Sequence, residues 1–541
     1  MNYANITDAV KARLTTLTAM HIVIAIAAVQ VLLWTLIPAL TFHNVPLDVA
    51  ENIAWGREWQ IGYYKHPPLQ AWLTGLALFG SGGAKWPIYL LSQLAIVTCF
   101  VAIWQMGRDV VDDNGRLFAV AFFSLVYYAN IPTPEFNANV LQMPFWALAP
   151  WLLWRGINSD SLGWWVALGA TMALAVYTKY SAIFLAGSLG IAALSVPQGR
   201  AAFRGLGLYA SMAVTLVMIS PHIVWLTQND FLPFQYAEGR SAPLAGFARF
   251  TGPFMFLAAQ FADHLGALAF MVSGMAGRII TRVRFEWRVW RWWLPFKDWH
   301  PSQMTPAERF ILISAFAPVV LTVLFSVIQG MALRDMWGAP MFTYTGLAAA
   351  IWLRPYMQRL RQALMITVWA VLFVGAPLGV GIATLAGPLV GAKPMRTAYP
   401  GPELAAKLEA LWEARTGRSL TITVGPTWET GVLSAYASKH PSALVDADFT
   451  KSPWISKRRL SVEGALVIWP SDQRLGVPAN LAKLKPFAGM GSIEAPYAND
   501  DRNASINWAI VPPAGSSSLK NRLSKSDDAS RLTKDKTTAQ P

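Results

Sequence analysis

The sequence predicts a polytopic α-helical membrane protein of about eleven transmembrane helices with a small α/β domain near its C-terminus. Three observations predict it. First, 54% of the 541 residues are hydrophobic and only 14% are charged, against about 25% charged in soluble domains. Second, the apolar residues are clustered. His21–Ile37, Trp164–Val176, Phe310–Val327 and Ala363–Leu385 approach the ~20 residues a helix needs to cross a bilayer. Lipid tolerates no open strand edge, so such spans are helical. Third, the composition changes after about residue 390, where short apolar strands alternate with an amphipathic helix.

In chain order the candidate spans lie near 20–41, 86–106, 117–131, 138–154, 162–177, 181–196, 206–226, 248–275, 309–329, 336–353 and 363–386. The third to sixth are short, as tilted, paired or re-entrant segments are. Lys11 and Arg13 precede the first run, which is long and holds Trp34. An uncleaved first span is therefore expected in preference to a cleaved signal peptide. Cys99 is the single cysteine. It makes no intrachain disulfide and leaves the redox compartment unread.

Orientation follows from Lys and Arg in the short loops, which stay cytoplasmic. Arg108 and Arg116, Arg200 and Arg204, and Arg354, Arg359 and Arg361 mark three loops. The richest is 276–308, with Arg278, Arg282, Arg284, Arg288, Arg291 and Lys297. All four fall on one side in the eleven-span scheme, together with the N-terminus. The 276–308 loop interleaves Trp287, Trp290, Trp292, Trp293 and Trp299 with its arginines. That composition serves single-stranded nucleic acid or an interfacial helix on anionic lipid. Spans on both sides favour membrane lipids as the partner, and no nucleic acid is expected despite the net charge of +14.

The opposite face then holds the segment 43–85, the loops near 131–138, 177–180, 227–247 and 330–337, and the chain beyond about 387. Domains are expected at 1–390 (membrane, with juxtamembrane helices in 43–85) and 391–515 (outer α/β domain), followed by a polar tail, 516–541, without a core. Residues 402–416 read as an amphipathic helix with Leu404, Leu408 and Leu411 on one face. Strands are expected at 419–424, 464–469 and 505–511, and a helix near 428–438. No internal repeat of the transporter kind is evident.

The outer segments carry the candidate chemistry. Asp48 and Glu51 share one face of a helical turn after the first span. Acids there are also ordinary dipole partners at a helix start. Lys65-His66-Pro67-Pro68 sets two cationic residues ahead of a rigid Pro-Pro step. Cations so placed suit a phosphate leaving a sugar, and a nearby carboxylate suits proton removal from an acceptor. Glu135 lies beside Asn137 and Asn139 in the second outer loop. Lys179 and Tyr180 occupy a tight turn, where a lysine also serves as a snorkelling interface anchor. Arg240, Arg334, Asp335, His222 and Asp230 complete a set of ionisable groups at the outer helix ends.

These motifs resemble polyprenyl-phosphate-sugar-dependent glycosyltransferases of the GT-C fold, in the branch of protein O-mannosyltransferases and the aminoarabinose transferase of lipid A. The resemblance rests on Asp48 after the first span, Lys65-His66-Pro67-Pro68-Leu69, the polar loop Glu135 to Asn139, and Thr178-Lys179-Tyr180. It implies a GT-C-like fold and a donor sugar linked through phosphate to undecaprenol or a similar lipid. It also implies a lipid or glycan acceptor, attacked on the periplasmic side of a bacterial inner membrane. Asp48 is then the general base and Glu135 a second carboxylate. Lys65, His66 and Lys179 neutralise the lipid phosphate. Glu51, Asn137, Tyr180, Arg240 and Arg334 are expected as further substrate-binding residues from their places in the outer segments.

Two departures bear on substrate. The family often has adjacent acids where this chain has Asp48-Val49, and lipid A-modifying relatives often have Glu-Lys where this chain has Lys65-His66. The resemblance requires no cofactor and no metal, although a divalent cation is compatible with the acids. No Walker loop or G-x-G-x-x-G sits in a strand-to-helix setting, as suits a donor already activated by phosphate. A transporter or flippase of a lipid-linked sugar shares the spans and cations but needs no poised carboxylate. A non-catalytic envelope assembly protein needs neither.

Overall fold

Apolar runs bounded by capping and turn residues set the helices, and a computed structural model gives their limits. It describes residues 3–240, 243–282, 304–354, 357, 361–471 and 476–514, with side chains from Thr18 onward except over 276–282. In order the helices are α1 (Tyr3–Thr41), α2 (Leu47–Gly56), α3 (Leu69–Gly80), α4 (Trp86–Met106), α5 (Asp113–Ser124), α6 (Ala138–Ile157), α7 (Leu162–Thr178), α8 (Ala182–Leu194), α9 (Pro197–Ala202) and α10 (Leu206–Gln228). They continue with α11 (Leu232–Arg240), α12 (Ala248–Asp263), α13 (Leu265–Arg282), α14 (Pro306–Gln329), α15 (Thr345–Leu353), α16 (Gln362–Ala386), α17 (Gly401–Thr416), α18 (Thr427–Tyr436) and α19 (Lys457–Glu463). The strands are β1 (Ile422–Gly425), β2 (Ser442–Val445), β3 (Ala465–Pro470), β4 (Met490–Pro496) and β5 (Asn503–Val511).

Among the described residues five helical segments are long and apolar enough to cross a membrane: Thr18–Thr41, Trp86–Asp109, Leu206–Gln228, Pro306–Gln329 and Gln362–Ala386. The pair α12 and α13, bent by 56°, makes a sixth if it is one broken span. That is fewer than the eleven expected. Two expected spans change character. Over 117–131 the helix stops at Ser124, because Asn130 turns back to donate its side-chain amide to the Ser124 carbonyl at 3.0 Å. Over 336–353 a 3-10 turn (Asp335–Gly338) comes first, and α15 starts only at Thr345, past Pro340. The arginine- and tryptophan-rich stretch from 283 to 303, and Arg359, lie outside the described residues, as does the tail from 515.

The chain divides into two compact units. The first comprises the residues up to Leu40, Lys65–Gln70 and Trp86–Val380. Its helices meet through small residues, as close packing in lipid demands. A Cβ on Gly169 of α7 would lie 2.4 Å from the Ser211 carbonyl oxygen of α10, so only glycine fits that crossing. Buried amides also tie α1, α4 and the loop after α5. Gln30 donates to Gln93 (3.0 Å) and to the Ala129 carbonyl (3.2 Å), and Gln93 donates to the Thr133 hydroxyl (3.1 Å). Buried hydrogen bonds of this kind in an apolar interior are strong and help fix the arrangement of the backbone, although the Gln30 Oε1 itself accepts none among the described residues. Arg116, one of the orientation markers, is itself buried. It pairs with Asp113 at 2.7 Å and lies 3.7 Å over the Trp104 ring. Glu308 completes a capping box with Thr305 at the start of α14 and pairs with Arg354 at 2.8 Å.

The second unit gathers Thr41–Tyr64, Ala71–Lys85 and the chain from Gly381. Its sheet runs β2-β1-β3-β5-β4. β1 pairs parallel with β2 and β3, whereas β5 pairs antiparallel with β3 and β4. Alternation along β3 sends Leu466 and Ile468 to one face and Ala465, Val467 and Trp469 to the other. The first face packs with Leu404, Leu408 and Trp412 of α17, and the second with Ile422, Val424 and Ile455. The three expected strands and two expected helices are present. β2, β4 and α19 join them.

Candidate functional site

In the first unit the candidate residues sit where helices end. α7 stops at Thr178, and Lys179 takes an extended backbone (φ −163°, ψ 139°) as its C-cap. That turn sends the Lys179 ammonium to the Asn139 side-chain carbonyl, which accepts at 2.6 Å. The same ammonium lies 5.9 Å from the Trp337 ring, on the 3-10 turn that Arg334 precedes. Asn139 is held for this contact by its neighbour. The Asn137 side-chain oxygen accepts from the Asn139 and Val140 amides at 2.9 and 3.1 Å and so caps α6.

Lys65 and His66 arrive from another part of the chain, and the Lys65 ammonium sits 5.9 Å from the Tyr236 ring of α11. Confinement, together with the positive charges of Lys65 and Lys179, pushes the His66 imidazole well below the usual histidine range. The Lys65 and Lys179 ammoniums, more than a hundred residues apart in sequence, therefore both bear on His66 within one region. Positive charge so gathered favours an anion.

Beyond Lys179, the Tyr180 hydroxyl meets His222 Nε2 at 2.9 Å. The two rings stack, with centroids 5.8 Å apart, and Trp225 also stacks with His222 at 5.6 Å. Phe234 of α11 lies 4.7 Å from Tyr180. The Tyr177 hydroxyl anchors this wall to α10 by donating to the Met218 carbonyl at 2.9 Å. Glu135 is half-buried in its loop, with its amide donating to the Pro132 carbonyl. Tyr127 lies within electrostatic reach of Glu135, Asp335 and Asp263. Arg240 is exposed at the end of α11. Asp230 follows α10 with a left-handed backbone, and its carbonyl accepts from the Gln235 amide.

In the second unit α2 carries Asp48 in its first turn, half-buried, and Glu51 one turn on, 4% exposed. This helix is clamped to the C-terminal part of the chain. The His43 and Asn44 amides donate to the Thr397 carbonyl at 2.9 Å each, and the Val45 amide donates to the Tyr436 hydroxyl at 2.9 Å. His43 pairs with Glu403 at 2.9 Å. A Cβ on Gly431 of α18 would come 2.9–3.2 Å from Ala50, so the helices touch backbone to backbone.

The structure thus brings together Lys65, His66, Lys179 and Asn139, and separately joins Tyr180 to His222. It gives Asn137 a capping duty and leaves Arg240 at the surface. Tyr236, Trp337 and Asp263 were not singled out from the sequence. The two aromatics lie in mixed apolar context, and Asp263 marks the break of a helix pair that reads as one apolar run. Among the described residues no three His, Cys, Asp or Glu side chains are grouped to hold a metal ion.

A family model described as Dolichyl-phosphate-mannose-protein mannosyltransferase matches residues 65–225, the stretch that holds Lys65, His66, Glu135, Asn139 and Lys179. Lipopolysaccharide core galacturonosyltransferase RgtB of Rhizobium johnstonii is 24% identical over 499 residues, covering 88% of this chain and 94% of that protein. Lipid A galacturonosyltransferase RgtD of the same organism is 26% identical over 186 residues, 34% of this chain and 39% of that protein. The chain therefore matches well under half of the length of that second relative. Among solved structures, ArnT from Cupriavidus metallidurans bound to undecaprenyl phosphate superposes with a TM-score of 0.58 at 16% identity, over 90% of this chain and 97% of that one. Its apo form gives 0.57. The protein is an integral membrane protein with the GT-C-like fold of ArnT.

Proposed function

We propose that this protein is a glycosyltransferase of the bacterial inner membrane. It moves a sugar from a polyprenyl-phosphate carrier to lipid A or another lipopolysaccharide saccharide on the periplasmic side. The observation that carries the reading is the convergence of Lys65, His66 and Lys179, with Lys179 oriented by Asn139. Two lysine ammoniums gathered about a histidine suit a phosphate whose negative charge grows in the transition state. The printed names of the relatives make a galacturonosyl group the first donor sugar to test.

In the reaction the acceptor oxygen forms a bond to the anomeric carbon while the bond from that carbon to the phosphate oxygen breaks. Polyprenyl phosphate leaves with the electron pair, and the acceptor proton passes to a carboxylate. Asp48 is the proposed general base, by the resemblance. The fixed seat of α2 suits this role, because a base must be held in place to act. Glu135 is proposed as the second carboxylate, Tyr180 as a wall of the sugar site, and Glu51, Asn137, Arg240 and Arg334 as further substrate-side groups.

The test is a transfer assay on membranes at equal expression, with polyprenyl-phosphate galacturonate as donor, lipid A and core lipopolysaccharide as acceptors, and mass spectrometry as readout. A uronate-sized gain that Asp48→Asn abolishes supports the reading. A transporter moves labelled carrier lipid across vesicles without modifying any acceptor, and an assembly protein does neither. Either result from well-folded wild type removes the transferase.

A further inference from the structure

An apolar groove of about 400 Å³ lies between α8 and α14, wholly within the first unit. Ile191 of α8 and Phe316, Ala317, Val320 and Leu321 of α14 form its walls, and Arg309, two turns before Phe316, stands at its start. Ile191, Phe316 and Val320 are exposed. At the far end the helices close up. A Cβ on Gly187, one turn before Ile191, would lie 3.1 Å from the Leu321 side chain. From Arg309 to Leu321 α14 rises by about 18 Å, close to the ~15 Å of one hydrocarbon leaflet.

The start of the groove is cationic. Arg309 donates to the Ser195 carbonyl at 3.3 Å, and Arg200 of α9 donates to the Leu194 carbonyl at 2.9 Å. Two guanidiniums from different helices thus gather at successive carbonyls of the α8 C-terminus. Each of these bonds uses one of the five N–H groups that an arginine offers. Among the described residues neither arginine is in an ion pair. Glu308, the acid next in sequence, is held by Arg354 at 2.8 Å and by the Thr305 amide.

Each feature has an ordinary reading by itself. An arginine at a helix C-terminus complements the dipole, and apolar faces of membrane helices meet lipid. The dipole does not account for Arg309, because a cation in the first turn of α14 opposes the dipole of its own helix. Cations without acid partners at the start of an apolar groove one leaflet long suit a lipid with an anionic head. We infer that this groove binds an anionic diacyl phospholipid, with one acyl chain between α8 and α14 and both arginines on the headgroup phosphate. A zwitterionic head brings a cation of its own to the two guanidiniums and is disfavoured. The thirteen residues of α8 put this end about 20 Å from the Lys179 turn, so the site is separate from the proposed donor site. It stands whether or not the chain is a transferase.

The experiment is native mass spectrometry of the full chain purified in detergent and given equal amounts of phosphatidylglycerol and phosphatidylcholine with the same acyl chains. Wild type is expected to retain phosphatidylglycerol preferentially, and Arg200→Gln/Arg309→Gln to lose that preference by roughly tenfold. The charge-keeping Arg200→Lys/Arg309→Lys variant should retain most of it, which separates lost charge from lost folding. Ala317→Trp fills the groove and should lower retention of both lipids at an unchanged Tm. Equal retention of the two lipids by wild type, or a preference indifferent to the double glutamine variant, overturns the site. A preference abolished by Lys65→Gln/Lys179→Gln and kept by Arg200→Gln/Arg309→Gln assigns the lipid to the other cations and likewise overturns it. Retention unmoved by Ala317→Trp overturns the seat of the acyl chain.

Discussion

The cations of the membrane unit and the acid of the second unit are placed by opposite means. Lys65, His66 and Lys179 sit on short segments at helix ends, with Lys179 held by Asn139 and the charges of both lysines bearing on His66. Asp48 stands on a helix bound by backbone hydrogen bonds, an ion pair and a glycine-mediated contact to the α/β unit. A growing negative charge profits from positive charge already gathered where it develops. A group that must meet one proton profits from a rigid seat. The contrast gives the C-terminal unit a use that its fold alone does not suggest: it holds the segment that carries the proposed base.

The comparison breaks most visibly at Asp48. Asp48→Asn should lower turnover by roughly 10²–10⁴-fold, the usual contribution of a general base, while donor binding persists. Steady-state transfer beside a donor-binding assay checks both. Next comes the cationic side. Lys179→Gln should cost about 10²–10³-fold in kcat, as loss of one charge stabiliser does. Asn139→Ala should cost less, because it disorients the ammonium without removing it. If the two losses are equal, Lys179 acts as an anchor rather than a charge.

The seat of Asp48 can be tested without touching charge. Gly431→Val forces a Cβ into Ala50 and should destabilise the second unit by about 1–3 kcal/mol, seen as a lower Tm with reduced turnover. The smallest effect concerns pH. His66 in the folded protein lies well below its ordinary value of 6.5, so the unfolded chain takes up this proton first. The contribution of His66 to stability is therefore complete above about pH 6.5 and falls as the pH drops below it. Denaturant titrations at several pH values should show that slope, and His66→Gln should flatten it.

Much of the cationic site was legible in the sequence, because Lys65-His66-Pro67-Pro68 and Thr178-Lys179-Tyr180 are local motifs at helix ends. Their aromatic neighbours Tyr236 and Trp337 were not, since those contacts depend on long-range packing. In the second unit β1, β3 and β5 stood out as apolar runs between turn residues. β4 did not, because Met490–Pro496 is an exposed edge strand with a mixed pattern. The grouping of α2 with the C-terminal sheet was also hidden. It rests on hydrogen bonds across some 350–390 residues, which no periodicity reveals. The segment 117–131 read as one span because Tyr127–Ile131 is nearly as apolar as the helix before it, and only the Asn130 side chain marks the turn.

The most direct measurement is the binding of undecaprenyl phosphate, compared with undecaprenol, to the purified full chain by native mass spectrometry. The account predicts that wild type retains the phosphate over the alcohol and that Lys65→Gln/Lys179→Gln loses this preference while remaining folded. Equal retention of the two lipids by wild type, or an unchanged preference in the double variant, would contradict it.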